Sequence, residues 1–139
     1  DDERPLILIG NGTGLAGLRS LLRARALAGQ GRNWLLFGER NRAQDFFCGD
    51  ELQAALRAGE LQHLDLAFSR DQAQKRYVQD LLREQHERLC AWLAEGAAIY
   101  VCGSLQGMAG GVDAALRKLL GDEVVDDLIE EGRYRRDVY

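Results

Sequence analysis

Residues 7–17 read ILIGNGTGLAG, and this stretch decides the fold. The apolar run Pro5–Ile9 leads straight into four glycines within eight residues, out of 16 in the whole chain. Glycine costs backbone entropy in regular structure, so a cluster is kept where main chain must turn sharply or approach something closely. Behind it, LAGLRSLLRARALAG carries leucines at 15, 18, 21, 22 and 27 with arginines between them, a helical period stopped by Gly29. A strand, a glycine turn and a helix in that order present backbone N–H groups and the positive end of a helix dipole, which suits a phosphate. Asn11 tolerates unusual backbone angles and Thr13 adds a hydroxyl, so Gly10, Asn11, Gly12, Thr13 and Gly14 form the first candidate site. The spacing G-x-G-x-G matches neither G-x-G-x-x-G nor G-x-x-x-x-G-K-[ST], and a tight turn that needs glycine only for packing is the plainer alternative.

The same alternation continues along the chain. Apolar runs at Asn33–Gly38, Leu61–Ser69 and Ala97–Gly103 predict three more strands. Helical periods cover DFFCGDELQAALRAG up to Gly59, YVQDLLREQHERLCAWLAEG with a break near His86, MAGGVDAALRKLLG and EVVDDLIEEG. The closing RYRRDVY predicts a terminal strand or extended tail. Strands alternating with helices imply parallel βαβ units, hence an α/β fold with an open five-stranded parallel sheet and helices on both faces. Ligands of such sheets bind beyond the carboxyl ends of the strands. Those ends fall at Gly10–Gly14, Gly38–Arg40, Ser69–Arg70 and Cys102–Ser104, and converge on one crevice.

Composition removes several classes of function. The chain has 139 residues, 46% apolar and 29% charged, as in a single soluble domain. Its net charge of −4 argues against non-specific nucleic-acid binding. No apolar run approaches the ~18 residues a bilayer span requires. Three widely spaced cysteines, Cys48, Cys90 and Cys102, suggest reduced thiols in a cytoplasmic setting and give no metal-ligand spacing. The start DDERP, with Met108 as the only methionine, predicts a piece of a longer protein.

Two further constellations lie at strand ends. SRDQAQKRYVQD (69–80) supplies Ser69, Arg70, Lys75, Tyr77 and Gln79. Arginine, lysine and hydroxyl groups suit a doubly charged phosphate, and Tyr77 can stack on a base. Arg40 follows the second strand where dinucleotide folds often carry an acidic ribose contact, and an arginine there favours NADP over NAD. In YVCG, Cys102 ends a strand facing the crevice, with a buried structural thiol as the alternative. Cys48 and Cys90 are expected to be buried structural thiols, and His63 and His86 surface or packing residues. No acidic cluster follows the first strand, which excludes a phosphoacceptor domain.

The runs G-x-G-T-G, S-R-D-Q…K-x-Y-V-Q-D, I-Y-V-C-G with Met108-Ala109, and R-Y-R-R-D-V-Y together resemble the C-terminal NADP-binding domain of the ferredoxin–NADP reductase family, closest to its diflavin branch. The resemblance covers nearly the whole chain and implies one NADP-binding oxidoreductase domain, residues 1–139, excised from an FAD-containing flavoprotein. It implies that Gly10, Gly12, Thr13 and Gly14 cradle the pyrophosphate, with Asn11 beside them. Ser69, Arg70, Lys75, Tyr77 and Gln79 would hold the 2′-phosphate and adenine, with Arg40 at the pocket edge. Gly103 and Met108 would join the cofactor-binding residues. Cys102 would sit near the nicotinamide C4, Asp137 would help orient it, and Tyr139 would stack on the FAD isoalloxazine ring. The implied partners are an upstream FAD domain and an FMN domain or external electron acceptor; a membrane anchor on the parent stays open. The family usually has proline at positions 11 and 17 and aspartate at 104, where this chain has Asn11, Gly17 and Ser104. A non-redox NADP(H)-binding or sensing module is the alternative function, and the terminal Asp137 and Tyr139 speak against it.

Overall fold

Side chains alternate cleanly along the first strand, β1 (Leu6–Asn11). Leu6 and Leu8 enter one core, whereas Ile7 and Ile9 enter the other. This is the period-two consequence of a strand buried on both faces. The structure is a computed structural model and describes residues 4–11, 15–39, 49–68, 77–103 and 110–138. In chain order the remaining elements are α1 (Leu15–Leu27), β2 (Asn33–Glu39), α2 (Gly49–Arg57), β3 (His63–Phe68), α3 (Val78–Glu84), α4 (His86–Ala94), β4 (Ala98–Gly103), α5 (Gly110–Leu120), α6 (Asp122–Glu130) and β5 (Tyr134–Val138).

The five strands form one sheet in the order β3-β2-β1-β4-β5, every neighbouring pair parallel. Leu18 and Leu22 of α1 and Ala55 of α2 cover one face, against Leu35, Phe37 and Cys102. The other face packs Trp34, Leu36, Ile99 and Val101 under Val78 and Leu82 of α3, Leu89 and Trp92 of α4, Val112 and Leu116 of α5, and Val125 and Leu128 of α6. Burying each large side chain contributes about 1.5–3 kcal/mol, so these two layers dominate the stability.

The expected helix boundaries follow from identifiable chemistry. Gly29 (φ 79°) and Gly59 (φ 80°) adopt the left-handed conformation that stops α1 and α2. The break near His86 is real: Gln85 (φ −106°, ψ 28°) leaves helical geometry between α3 and α4. RYRRDV becomes the edge strand β5, paired with β4 from Ile99↔Tyr134 to Gly103↔Val138. Some boundaries differ by one or two residues, as at β3, which begins at His63 rather than Leu61. β1 runs two residues past Ile9, so Gly10 and Asn11 are strand residues, paired with Phe37 and Gly38 of β2.

Asn33, fully buried at the start of β2, ties distant segments together. Its amide donates to the carbonyls of Gln30 and Glu60, both at 2.8 Å, and its Oδ1 accepts from Arg25 Nε. Arg25 also donates to the Arg4 carbonyl at 2.8 Å, which fixes the chain ahead of β1. Across from this cluster, Arg117 of α5 bridges Asp113 on its own helix at 3.0 Å and Asp122 and Asp126 of α6 at 3.1 Å. Asp113 also accepts a 2.8 Å hydrogen bond from the buried Tyr134 hydroxyl at the start of β5.

Candidate functional site

The carboxyl ends of β1 and β4 define the crevice. These strands are neighbours at the centre of the sheet, with Gly10 paired to Cys102. From β1 the chain passes to α1 on one face, and from β4 to α5 on the other. The two connections diverge, which is the topological switch point where open α/β sheets bind ligands.

Gly10 is glycine for a steric reason. A methyl group there would collide with Leu18 of α1 and stand 2.9 Å from the Cys102 carbonyl oxygen. The bare α-carbon lets α1 start close above β1, so the helix N-terminus lies beside the strand end, the arrangement a phosphate site needs. Cys102 is buried, packed in the core on the α1 face with Leu18 and Phe37, whereas Cys90 on α4 is exposed and not the buried structural thiol expected. Gly103 pairs with Val138, and Cys102 with Asp137, which brings residue 137 beside the end of β4.

Tyr77 stands at the start of α3 in extended conformation (φ −122°, ψ 166°), its N–H donating to Asp80 Oδ2 at 2.8 Å. Asp80 thus caps α3 and fixes Tyr77, a residue 45% exposed. An exposed, rigidly based aromatic is suited to stack on a base. Gln79, two residues on, lies against Gly111 in the first turn of α5. The expected contributions of Gly12, Thr13, Gly14, Arg40, Ser69, Arg70, Lys75, Met108 and Tyr139, and of Cys48, fall outside the described residues.

Other polar features serve structure. His63, half-buried, stands edge-on to Trp34 and Trp92, at ring distances of 6.4 and 5.8 Å. Arg88 lies 5.2 Å over Trp34, and Asp65 accepts from Trp34 Nε1 at 2.6 Å and from Arg88 at 3.2 Å. Burial, then the Arg88 charge, lower the His63 pKa against the opposing pull of Asp65. Burial, with the hydrogen bond to Asp113, holds the Tyr134 phenol protonated far above its ordinary range. This packing role for His63 accords with expectation; nothing in local sequence marked its ring partners. A groove of about 500 Å³ between α1 and α2, lined by Leu22, Ala26, Ala54 and Ala58, lies apart from the switch point. Among the described residues no group of three His, Cys, Asp or Glu side chains could hold a metal, and no helix is long and apolar enough to cross a membrane.

An all-parallel α/β sheet whose central strands β1 and β4 lead to helices on opposite faces has the topology of a nucleotide-binding domain of the dinucleotide type. The sequence profile of the oxidoreductase NAD-binding domain matches residues 8–114, and the chain belongs to that family. It is similar to the sulfite reductase [NADPH] flavoprotein alpha-component of Neisseria meningitidis serogroup C (strain FAM18), 45% identical over 150 aligned positions that cover 100% of this chain and 25% of the relative. The protein of the same name from Salmonella typhimurium (strain LT2) is 45% identical over 148 positions, covering 99% of this chain and 25% of its own length. The one from Vibrio cholerae serotype O1 is 46% identical over 150 positions, covering 100% and 24%. The chain thus spans about a quarter of the length of these curated relatives.

Proposed function

We propose that this chain is the NADPH-binding module of a flavoprotein reductase, presenting nicotinamide to an FAD held by a preceding domain. The observation that carries the proposal is the Gly10–Cys102 pairing at the switch point, where a missing side chain brings the α1 N-terminus against the strand ends. The close backbone approach at Gly10 and the exposed Tyr77 at the start of α3 support this reading. Gly10, Gly12, Thr13 and Gly14, with Asn11, bind the pyrophosphate. Ser69, Arg70, Lys75 and Tyr77 hold the 2′-phosphate and adenine, with Arg40 at the edge. Gly103 and Met108 flank the nicotinamide end, Cys102 lies beside the nicotinamide C4 position, and Asp137 orients the ring. Tyr139 covers the flavin face until nicotinamide displaces it. NADPH supplies a hydride to the flavin, and electrons pass on to an FMN domain or an external acceptor. The parent works in the cytoplasm, in keeping with the unpaired Cys90 thiol.

The test is stopped-flow flavin reduction in the full-length flavoprotein that carries this domain, with NADPH and NADH compared. Arg70→Ala should erase most of the NADPH preference, since a charge-assisted phosphate contact contributes ~1.5–3 kcal/mol gross. Asp137→Asn should slow reduction while leaving nucleotide affinity nearly intact. An Arg70→Ala protein with the wild-type preference would refute the assignment of segment 69–77.

A further inference from the structure

β5 is an edge strand, bonded to β4 alone. Of its first three residues only Tyr134 is buried, while Arg135 and Arg136 are exposed. The Tyr134 ring shares a core with Ile99, Val112 and Val125, and the Arg136 guanidinium stands 5.9 Å over it. A phenylalanine would bury the same ring. What the hydroxyl adds is one bond out of the strand, donated to Asp113 Oδ1 at 2.8 Å in the first turn of α5.

Asp113 is itself held in place. Its other oxygen, Oδ2, accepts from Arg117 at 3.0 Å, and Arg117 reaches Asp122 and Asp126 of α6 at 3.1 Å. The edge strand is thus tied to a helix start that is clamped to the next helix. Three residues beyond Tyr134, residue 137 pairs with Cys102 at the carboxyl end of β4. At about 3.3 Å per residue, anchor and pair lie about 10 Å apart on one extended segment. Tyr134 stands at the amino end of its strand, away from the crevice, so any effect on chemistry there passes through β5. We propose that Tyr134 is a positioning residue for hydride transfer, its bond to Asp113 setting where β5 presents Asp137 beside the end of β4. This role rests on the proposed function, which assigns Asp137 to orienting nicotinamide. A misplacement of about 1 Å at a reacting centre can cost about 10²-fold in rate, so a strand held on one side only is a place where such an anchor matters.

Stopped-flow flavin reduction by NADPH in the full-length flavoprotein that carries this domain tests the role with three variants. Tyr134→Phe and Asp113→Ala both break the bond, whereas Asp113→Asn keeps an oxygen that accepts from the hydroxyl but gives up the charge facing Arg117. The first two should lower the limiting reduction rate by about threefold or more with the NADPH Kd changed by less than about twofold. Asp113→Asn should retain most of the rate although it, too, loses an ion pair. A merely structural role would instead order the variants by their melting temperatures, measured alongside. A wild-type rate in Tyr134→Phe would reduce the bond to packing and overturn the proposal, as would an Asp113→Asn protein as slow as Asp113→Ala. If the unsubstituted flavoprotein were not reduced by NADPH, the cofactor assignment would fall and the positioning role with it.

Discussion

Gly10 of β1 and Cys102 of β4 face each other at the centre of the sheet, so close that a single methyl on Gly10 would press against the Cys102 carbonyl at 2.9 Å. The carbonyl is main chain and cannot step aside as a side chain would. The glycine therefore keeps β1, β4 and α1 at the separation that forms the crevice.

Gly10→Ala should accordingly damage stability and binding together. Overpacking of this kind costs about 1–3 kcal/mol, and the strain falls on Leu18 and the start of α1. Chemical denaturation should show a lower midpoint with an unchanged slope. Full stability with unchanged nucleotide affinity would mean the close approach is dispensable.

Asn33→Ala should be among the most destabilising single changes in the domain. It strands the carbonyls of Gln30 and Glu60 and removes an acceptor of Arg25, all around a fully buried site. The expected cost is about 2–3 kcal/mol in denaturant unfolding. A loss too small to resolve would show that water replaces the amide.

The strand-helix order, the helix stops at Gly29 and Gly59, the break at His86 and the strand character of RYRRDV were legible because each is written in local sequence. Period-two and period-3.6 patterns and glycines at special backbone angles need no knowledge of distant residues. The extension of β1 through Gly10 and Asn11 was not legible, because ladder pairing with Phe37 and Gly38 outweighs the turn preference of Gly and Asn. The same applies to Gln79 on Gly111, Tyr134 on Asp113 and the His63 ring cluster. These contacts join residues 21 to 32 positions apart and follow from how the layers stack. For the site, sequence identified the residue types at the strand ends, but the reason for Gly10 emerged only from its neighbours.

His63 makes stability dependent on pH. Its folded pKa lies below the ordinary 6.5, so the unfolded chain binds more protons between the two values. Stability should therefore fall as pH drops from 6.5 through the folded pKa, then level off for this group. His63→Phe, which retains a ring beside Trp34 and Trp92, should flatten that part of the curve. Melting temperatures of both proteins between pH 7 and 5 check it, and parallel curves would remove His63 as the cause.

Tyr134→Phe deletes the hydroxyl that ties β5 to Asp113 while keeping the ring in the core. Asp113 keeps Arg117, so the cost should be about 1–2 kcal/mol rather than that of a stranded carboxylate. Hydrogen exchange should show the loss as faster opening of β5 relative to β1. Uniform protection across the sheet would contradict a local anchor.

The most direct measurement is calorimetric titration of the 139-residue chain with NADP+, NAD+ and FAD under identical conditions. The account predicts saturable 1:1 binding of NADP+, markedly weaker binding of NAD+ and no specific binding of FAD. Tight FAD binding with no response to NADP+ would contradict it.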